Sequence, residues 1–225
     1  DYKVTGVQTC ALPICGCDLA AVRPESRREL LGAMVGRALN VDVEVVPSPR
    51  GTAHRARIKL AVASGRVGFR ARRSHEVVEV GGCGVAREEV QAGLTRVREL
   101  IAGGVEVPDG EVEIRSDGDE VVYSFRGGRW TGAARVGVEA LGNVAVDGRT
   151  VSGVTTLRIP VGGLRLDAGP DVFYQVNLEA NELLVGFVVQ AVLEAGAERV
   201  LDLFAGMGNL GLSIARRGVP VVAVE

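Results

Sequence analysis

Hydrophobic positions change their period several times along this 225-residue chain. Leu30, Leu31, Met34, Val35, Ala38 and Leu39 recur at helical spacing, with Pro24 near the start, which predicts a helix over 23–39. Residues 41–46 alternate as a strand. Residues 53–63 and 66–71 flank Ser64-Gly65, the pattern of a hairpin turn. Residues 85–101 are amphipathic and stop at Gly103-Gly104, a glycine helix end. From 111 to 166, short apolar runs are punctuated by Asp117-Gly118, Gly127-Gly128, Asp147-Gly148 and Gly162-Gly163, so this section is expected to be rich in sheet.

The texture changes near Gly169-Pro170. A long apolar-periodic helix over 178–195 leads into a strand at 199–204 that reads as buried. A glycine turn over 206–209, a helix over 210–217 and a strand over 219–224 follow, the last reading as buried on both faces. Helix, strand, glycine turn, helix, strand opens an α/β domain with a parallel sheet. The expected fold class is therefore the start of a Rossmann-like α/β domain, over 169–225, preceded by an α+β central domain over 16–168. Residues 1–15 are set apart as a tail, since Val4 to Ile14 resembles the translation of a sequencing adapter. With no initiating methionine and a last strand that nothing follows, the chain reads as a fragment open at both ends.

Composition narrows the class. Apolar residues are 47% and charged residues 24%, an ordinary globular balance that argues against disorder and a coiled coil. Uncharged apolar stretches fall far short of the roughly 20 residues of a membrane span, so no membrane partner is expected. The net charge of −2 conceals a segregation. Between Arg50 and His75 there are eight arginines and lysines and no carboxylate, whereas Glu99 to Glu120 holds eight acids and one arginine. On a hairpin, Arg55, Arg57 and Lys59 alternate onto one face, and Arg70 and Arg72 can join them across the strands. Such a patch suits a phosphate backbone, with the acidic section expected to face away.

Gly206-Met-Gly208-Asn-Leu-Gly211 fits G-x-G-x-x-G, and Glu225 follows about 20 residues on. The pattern alone admits a nicotinamide-dependent oxidoreductase. Asp202 inside the first strand favours an adenosyl ligand, because an acid there is costly unless it meets a cation such as a bound amino acid's ammonium.

Two segments then carry a family resemblance. Val200-Leu-Asp-Leu-Phe-Ala-Gly-Met-Gly-Asn209, with Asp171-Val-Phe-Tyr-Gln-Val-Asn177 upstream, resembles the RNA uracil-5-methyltransferases that act on ribosomal and transfer RNA. Arg55-Ala-Arg57-Ile-Lys59, Gly68-Phe69-Arg70 and Ser74-His75-Glu76-Val77 are similar to the family's central-domain hairpin, and Gly16-Cys17-Asp18-Leu19 to the end of its cysteine-rich segment. The resemblance implies a class I methyltransferase domain and S-adenosylmethionine as cofactor. It implies that Gln175, Phe204, Gly206, Asn209 and Glu225 line that cofactor, Glu225 holding the ribose. As residues alone, Gln175 can instead cap the following helix, Phe204 can be core and Asn209 can be a helix N-cap.

The resemblance also implies an RNA partner, ribosomal or transfer, a cytoplasmic location, a monomer, and in many relatives a 4Fe-4S cluster. Cys17 and Cys83 match two of its four ligands; Cys15 is at the wrong spacing. Two thiolates do not hold a cluster that needs about four, so this chain is expected to lack one, and each cysteine alone reads as a small buried hydrophobe. In the family, a cysteine thiolate adds to carbon 6 of the uracil, carbon 5 takes the methyl group, and a glutamate removes the carbon-5 proton. Both residues belong to the later part of the domain, beyond Glu225, so no catalytic residue is assigned and the chain alone is expected to be inactive and to bind cofactor poorly. A non-catalytic RNA-binding module using the basic hairpin is the alternative from another class.

Overall fold

The computed structural model describes residues 22–71 and 73–225. Cys17, the 1–15 tail and Arg72 lie outside the described residues.

Helix α1 (Pro24–Leu39) has proline in its first turn and ends at Asn40 in the left-handed region, φ 56°. None of its residues is buried. The strand expected over 41–46 does not form. That segment runs extended beside α1, close enough that a Cβ on Gly36 would stand 2.8 Å from the Val41 carbonyl oxygen. An alternating run becomes a strand only against a free sheet edge, and this one faces a helix instead.

The central sheet has seven strands in the order β3-β2-β1-β4-β5-β6-β7. Strands β1 (Arg57–Ala63) and β2 (Arg66–Arg70) form the expected hairpin, with Ser64 and Gly65 at φ 51° and 71°. Strand β3 (Val77–Val78) adds the edge. Helix α2 (Glu88–Ala102) covers one face, packing Val90, Leu94 and Val97 against Ile58, Leu60, Ile114 and Phe125. Strands β4 (Gly110–Ser116) and β5 (Val121–Arg126) pair antiparallel, but β5 runs parallel to β6 (Asn143–Val146). A parallel neighbour requires a crossover, and helix α3 (Gly132–Val138) makes it. Its sequence, with Gly132 and Gly137, hid it among sheet signals; Thr131 caps it by accepting from the Ala134 amide. Strand β7 (Arg149–Ser152) closes the sheet.

A second core forms around the hairpin β8 (Leu157–Val161) and β9 (Leu164–Ala168) and helix α4 (Leu178–Glu194). Asn177 caps α4 through the Ala180 amide, which removes Gln175 from that role. Strands β10 (Val200–Leu203) and β11 (Val221–Val224) pair parallel, connected through helix α5 (Gly211–Ala215), unlike the antiparallel hairpin before them. They are not buried on both faces as their apolar sequence predicts. Leu201, Leu203, Val222 and Val224 are exposed, because α4 and α5 cover only the opposite side among the described residues.

One cation ties the two cores together. Arg115 on β4 is fully buried; its guanidinium donates to the Gly169 and Val172 carbonyls at 2.7 and 3.0 Å and lies 4.9 Å from the Tyr174 ring centre. Glu113 Oε1 stands 3.5 Å from its Nε. The Tyr174 hydroxyl donates to Ala56 and Ser116 carbonyls, so the strap 169–174 is held at both ends. Burial pushes the Tyr174 phenol pKa up, with Arg115 and Arg57 opposing it. Arg115→Ala strands those carbonyls and the Glu113 charge, and is expected to cost about 3 kcal/mol in urea-induced unfolding. A loss below about 1 kcal/mol, the ordinary range of a single hydrogen bond, would show the clamp to be incidental.

Candidate functional site

Strand β10 leaves its sheet through Phe204, a non-glycine residue at φ 60°, followed by Gly206 at 55° and Gly208 at 88°. Left-handed backbone in a phenylalanine is uncommon and costs about 1 kcal/mol or more, so the turn needs outside support. Two carboxylates supply it. Glu225 Oε2 accepts from the Gly206 amide at 2.6 Å, and Asp202 Oδ2 accepts from the Gly211 amide at 2.9 Å. Asp202 therefore has a donor at the start of α5 before any cation arrives. No Cβ fits easily at Gly211, where it would stand 2.7 Å from that same oxygen. Asn209 is not the helix cap expected of it: the cap position is Leu210, and the Asn209 amide is instead paired with Asn181.

A cavity of 210 Å³ opens between this turn, the strap and α4, lined among others by Phe173, Gln175, Leu184, Asp202, Phe204 and Gly206. Asn209 also lines it. Four of the five residues expected around a cofactor thus share one cavity, and the fifth, Glu225, accepts from the Gly206 backbone amide. Phe204 is 91% exposed, so it is not core. Phe173 and Leu184 were missed; Leu184 shows itself only as an apolar residue on the exposed side of α4. Carboxylates, an amide and two aromatic rings around one opening fit an adenosyl amino acid, whose ammonium, ribose and base need those partners in turn. A wider groove of 1190 Å³ between α1 and 41–45 lies elsewhere and is lined mainly by alternating charges such as Glu25, Arg28, Glu29 and Arg37.

The basic hairpin is less free than its sequence implies. Arg57 lies 5.1 and 5.5 Å from the ring centres of Phe173 and Tyr174. Lys59 pairs with Glu111 at 2.7 Å, and Arg70 bonds the His75 ring at 3.1 Å. Arg55 is exposed and precedes the strand, its amide donating to the Val85 carbonyl. The acidic section does not face away. Strand β4 lies beside β1, with Lys59 opposite Glu113 and Ala61 opposite Glu111, so acids and bases share one face.

Cys83 is 3% exposed and packed in the central core, its amide donating to Gln91 Oε1. Among the described residues no three metal-ligating side chains come together, so they do not fit an iron–sulfur cluster. Among them, too, no helix is long and apolar enough to cross a membrane.

Glu179 at the start of α4 joins the site to the sheet. It pairs with Arg87 and, at 3.0 Å, with Arg50, while Asn177 donates to Ser48 Oγ at 2.9 Å. Burial alone would raise the Glu179 pKa, but its backbone hydrogen bond and the Arg87 and Arg50 charges outweigh it and hold the carboxyl below 4.5. A depressed folded pKa means stability that is complete above the unfolded value and lost as pH falls through the folded one. The stability difference between wild type and Glu179→Gln should be largest at neutral pH and shrink below pH 4.5; a difference flat across that range, by urea unfolding, contradicts the pairing.

No protein-family model matches the chain. It is 29% identical over 238 aligned positions to the tRNA (uracil(54)-C(5))-methyltransferase of Pyrococcus horikoshii, covering 93% of this chain and 57% of the relative. It is 31% identical over 244 positions to the 23S rRNA (uracil(1939)-C(5))-methyltransferase RlmD of Alkalilimnicola ehrlichii, covering 94% and 55%. A solved structure of the Pyrococcus abyssi tRNA (uracil-54, C5)-methyltransferase with S-adenosyl-L-homocysteine superposes with a TM-score of 0.76 at 23% identity, over 94% of this chain and 59% of that one. The chain thus spans about half the length of the relatives it matches.

Proposed function

Starting from a chain that resembles the RNA uracil-5-methyltransferases in sequence and shares their fold, we propose that it is the central domain and the opening of the cofactor domain of an enzyme that methylates carbon 5 of uridine in RNA. The boundary falls near residue 169. The observation that carries this reading is the cavity at the carboxyl end of the parallel pair, closed from outside by Phe173 and Gln175. Ligands bind at that end of open α/β sheets.

When bound, S-adenosylmethionine supplies an electrophilic methyl group. Glu225 accepts from the ribose hydroxyls after releasing the Gly206 amide or while sharing it. Phe204 offers a ring face, Gly206 lets the backbone approach, Asp202 attracts the ammonium, and Gln175 and Asn209 add amide contacts. Arg55, Arg57, Lys59, Arg70 and Arg72 meet the RNA backbone. The exposed Lys59–Glu111 pair is no obstacle, since such pairs are worth only about 0–1 kcal/mol and a phosphate exchanges readily for the carboxylate. We read Cys83 as core rather than ligand, the enzyme as a cytoplasmic monomer, and the thiolate and general base as contributed by sequence outside this chain. The relatives compared above are methyltransferases, which does not favour the nicotinamide reading of the glycine turn.

The test uses the product of the whole gene, incubated with S-adenosylmethionine and ribosomal or transfer RNA transcripts, and nucleoside mass spectrometry. The expected product is 5-methyluridine at one position. RNA retained by the protein without any methylated uridine would overturn the enzyme reading in favour of a binding module.

A further inference from the structure

Asn181 lies one turn into α4 and is 3% exposed, yet it is polar and its side chain meets no solvent. Its Nδ2 donates to Asn209 Oδ1 at 2.8 Å, and Asn209 Nδ2 donates back to Asn181 Oδ1 at 3.0 Å. This is a closed, reciprocal amide pair. An amide buried this deeply keeps its partners or loses stability, and turning over either amide alone would set oxygen against oxygen and N–H against N–H. Asn181 is itself immobile: its backbone amide donates to Asn177, and α4 is pinned through Glu179 to Arg87 and through Glu182 to the Gly162 amide. Among the described residues, the other two clamps on the turn, Asp202 and Glu225, grip backbone amides. Asn181 grips a side chain.

We propose that Asn181 is a positioning residue for the cofactor site: it holds the Asn209 amide in the plane of their pair and so places the group that Asn209 offers a bound adenosyl ligand. This rests on the cofactor reading above. Replacing Asn181 by alanine frees Asn209 to rotate and fill its hydrogen bonds elsewhere. Replacing it by aspartate keeps the shape but sets a carboxylate oxygen against Asn209 Oδ1 in either orientation of that amide, which breaks the reciprocal pair. Protonation restores the original pattern, because a carboxylic O–H donates where the amide N–H did, and burial raises the pKa at which this happens.

The experiment titrates S-adenosylhomocysteine into the product of the whole gene, isotope-labelled, following amide and side-chain NMR signals. Asn181→Ala is expected to bind about tenfold more weakly, the scale of one lost buried hydrogen bond. Val185→Ala, a 2% exposed core position on the same helix, controls for loosening of α4. Asn181→Asp is expected to approach wild-type affinity as pH falls from about 8 to about 5. The charged groups around the site, Asp202, Glu225, Glu179 and Glu182, are common to both proteins, so the ratio of affinities isolates the new carboxyl. Wild type showing no shift at millimolar ligand overturns the cofactor reading itself. Wild type binding with Asn181→Ala unchanged, with Val185→Ala equally weakened, or with a pH-independent Asn181→Asp ratio overturns the positioning role alone.

Discussion

Removing a guanidinium from water costs several kcal/mol even after relaxation, and Arg115 is fully buried. The fold recovers that cost from groups it gathers around the cation: the Gly169 and Val172 carbonyls, the Tyr174 ring and the Glu113 carboxylate. Three of these four belong to the strap between the two cores, so satisfying the arginine and docking the strap are one event. Arg57 also lies against the Tyr174 ring, and the tyrosine hydroxyl returns to the sheet through the Ala56 and Ser116 carbonyls. Everything that follows in the chain inherits this placement. Phe173 and Gln175 flank the clamped tyrosine, Asn177 caps α4, and α4 carries Asn181 to the glycine turn.

The turn itself shows why a G-x-G-x-x-G pattern is a poor guide alone. Its geometry depends on side chains the pattern omits: Asp202 on the Gly211 amide, Glu225 on the Gly206 amide and Asn181 on Asn209. Each holds a loop that contains a left-handed phenylalanine. Two of the three are also groups that an adenosyl amino acid would recruit, so the turn holds in fixed positions the atoms that the proposed cofactor site would use. Preorganisation of this kind lowers the ordering cost of binding.

Much of this was legible in the residues. The Ser64-Gly65 hairpin, α2, α4 and the parallel β10–β11 pair announce themselves through period and punctuation, and the Phe-Tyr-Gln-Val-Asn segment marked the cavity's outer wall. What the sequence hid was tertiary. Residues 41–46 alternate like a strand but have a helix, not an edge, beside them. Helix α3 is short and glycine-bearing, and is demanded only by the parallel pairing of β5 with β6. The lone arginine of an acidic stretch gave no sign of burial, since that depends on a partner strap more than fifty residues away in sequence. The basic patch was read from charge order along the chain, whereas the sheet interleaves β4 with β1 and sets Glu111 and Glu113 among its cations.

Strap, helix α4 and glycine turn converge on one cavity, which we propose binds an adenosyl ligand. A crystal structure of the protein grown with S-adenosylhomocysteine addresses it most directly. The account predicts ligand density between Phe173, Gln175 and the Phe204–Asn209 turn, with a ribose at Glu225. Density confined to the groove beside α1, or a ribose on no carboxylate of this turn, would contradict it.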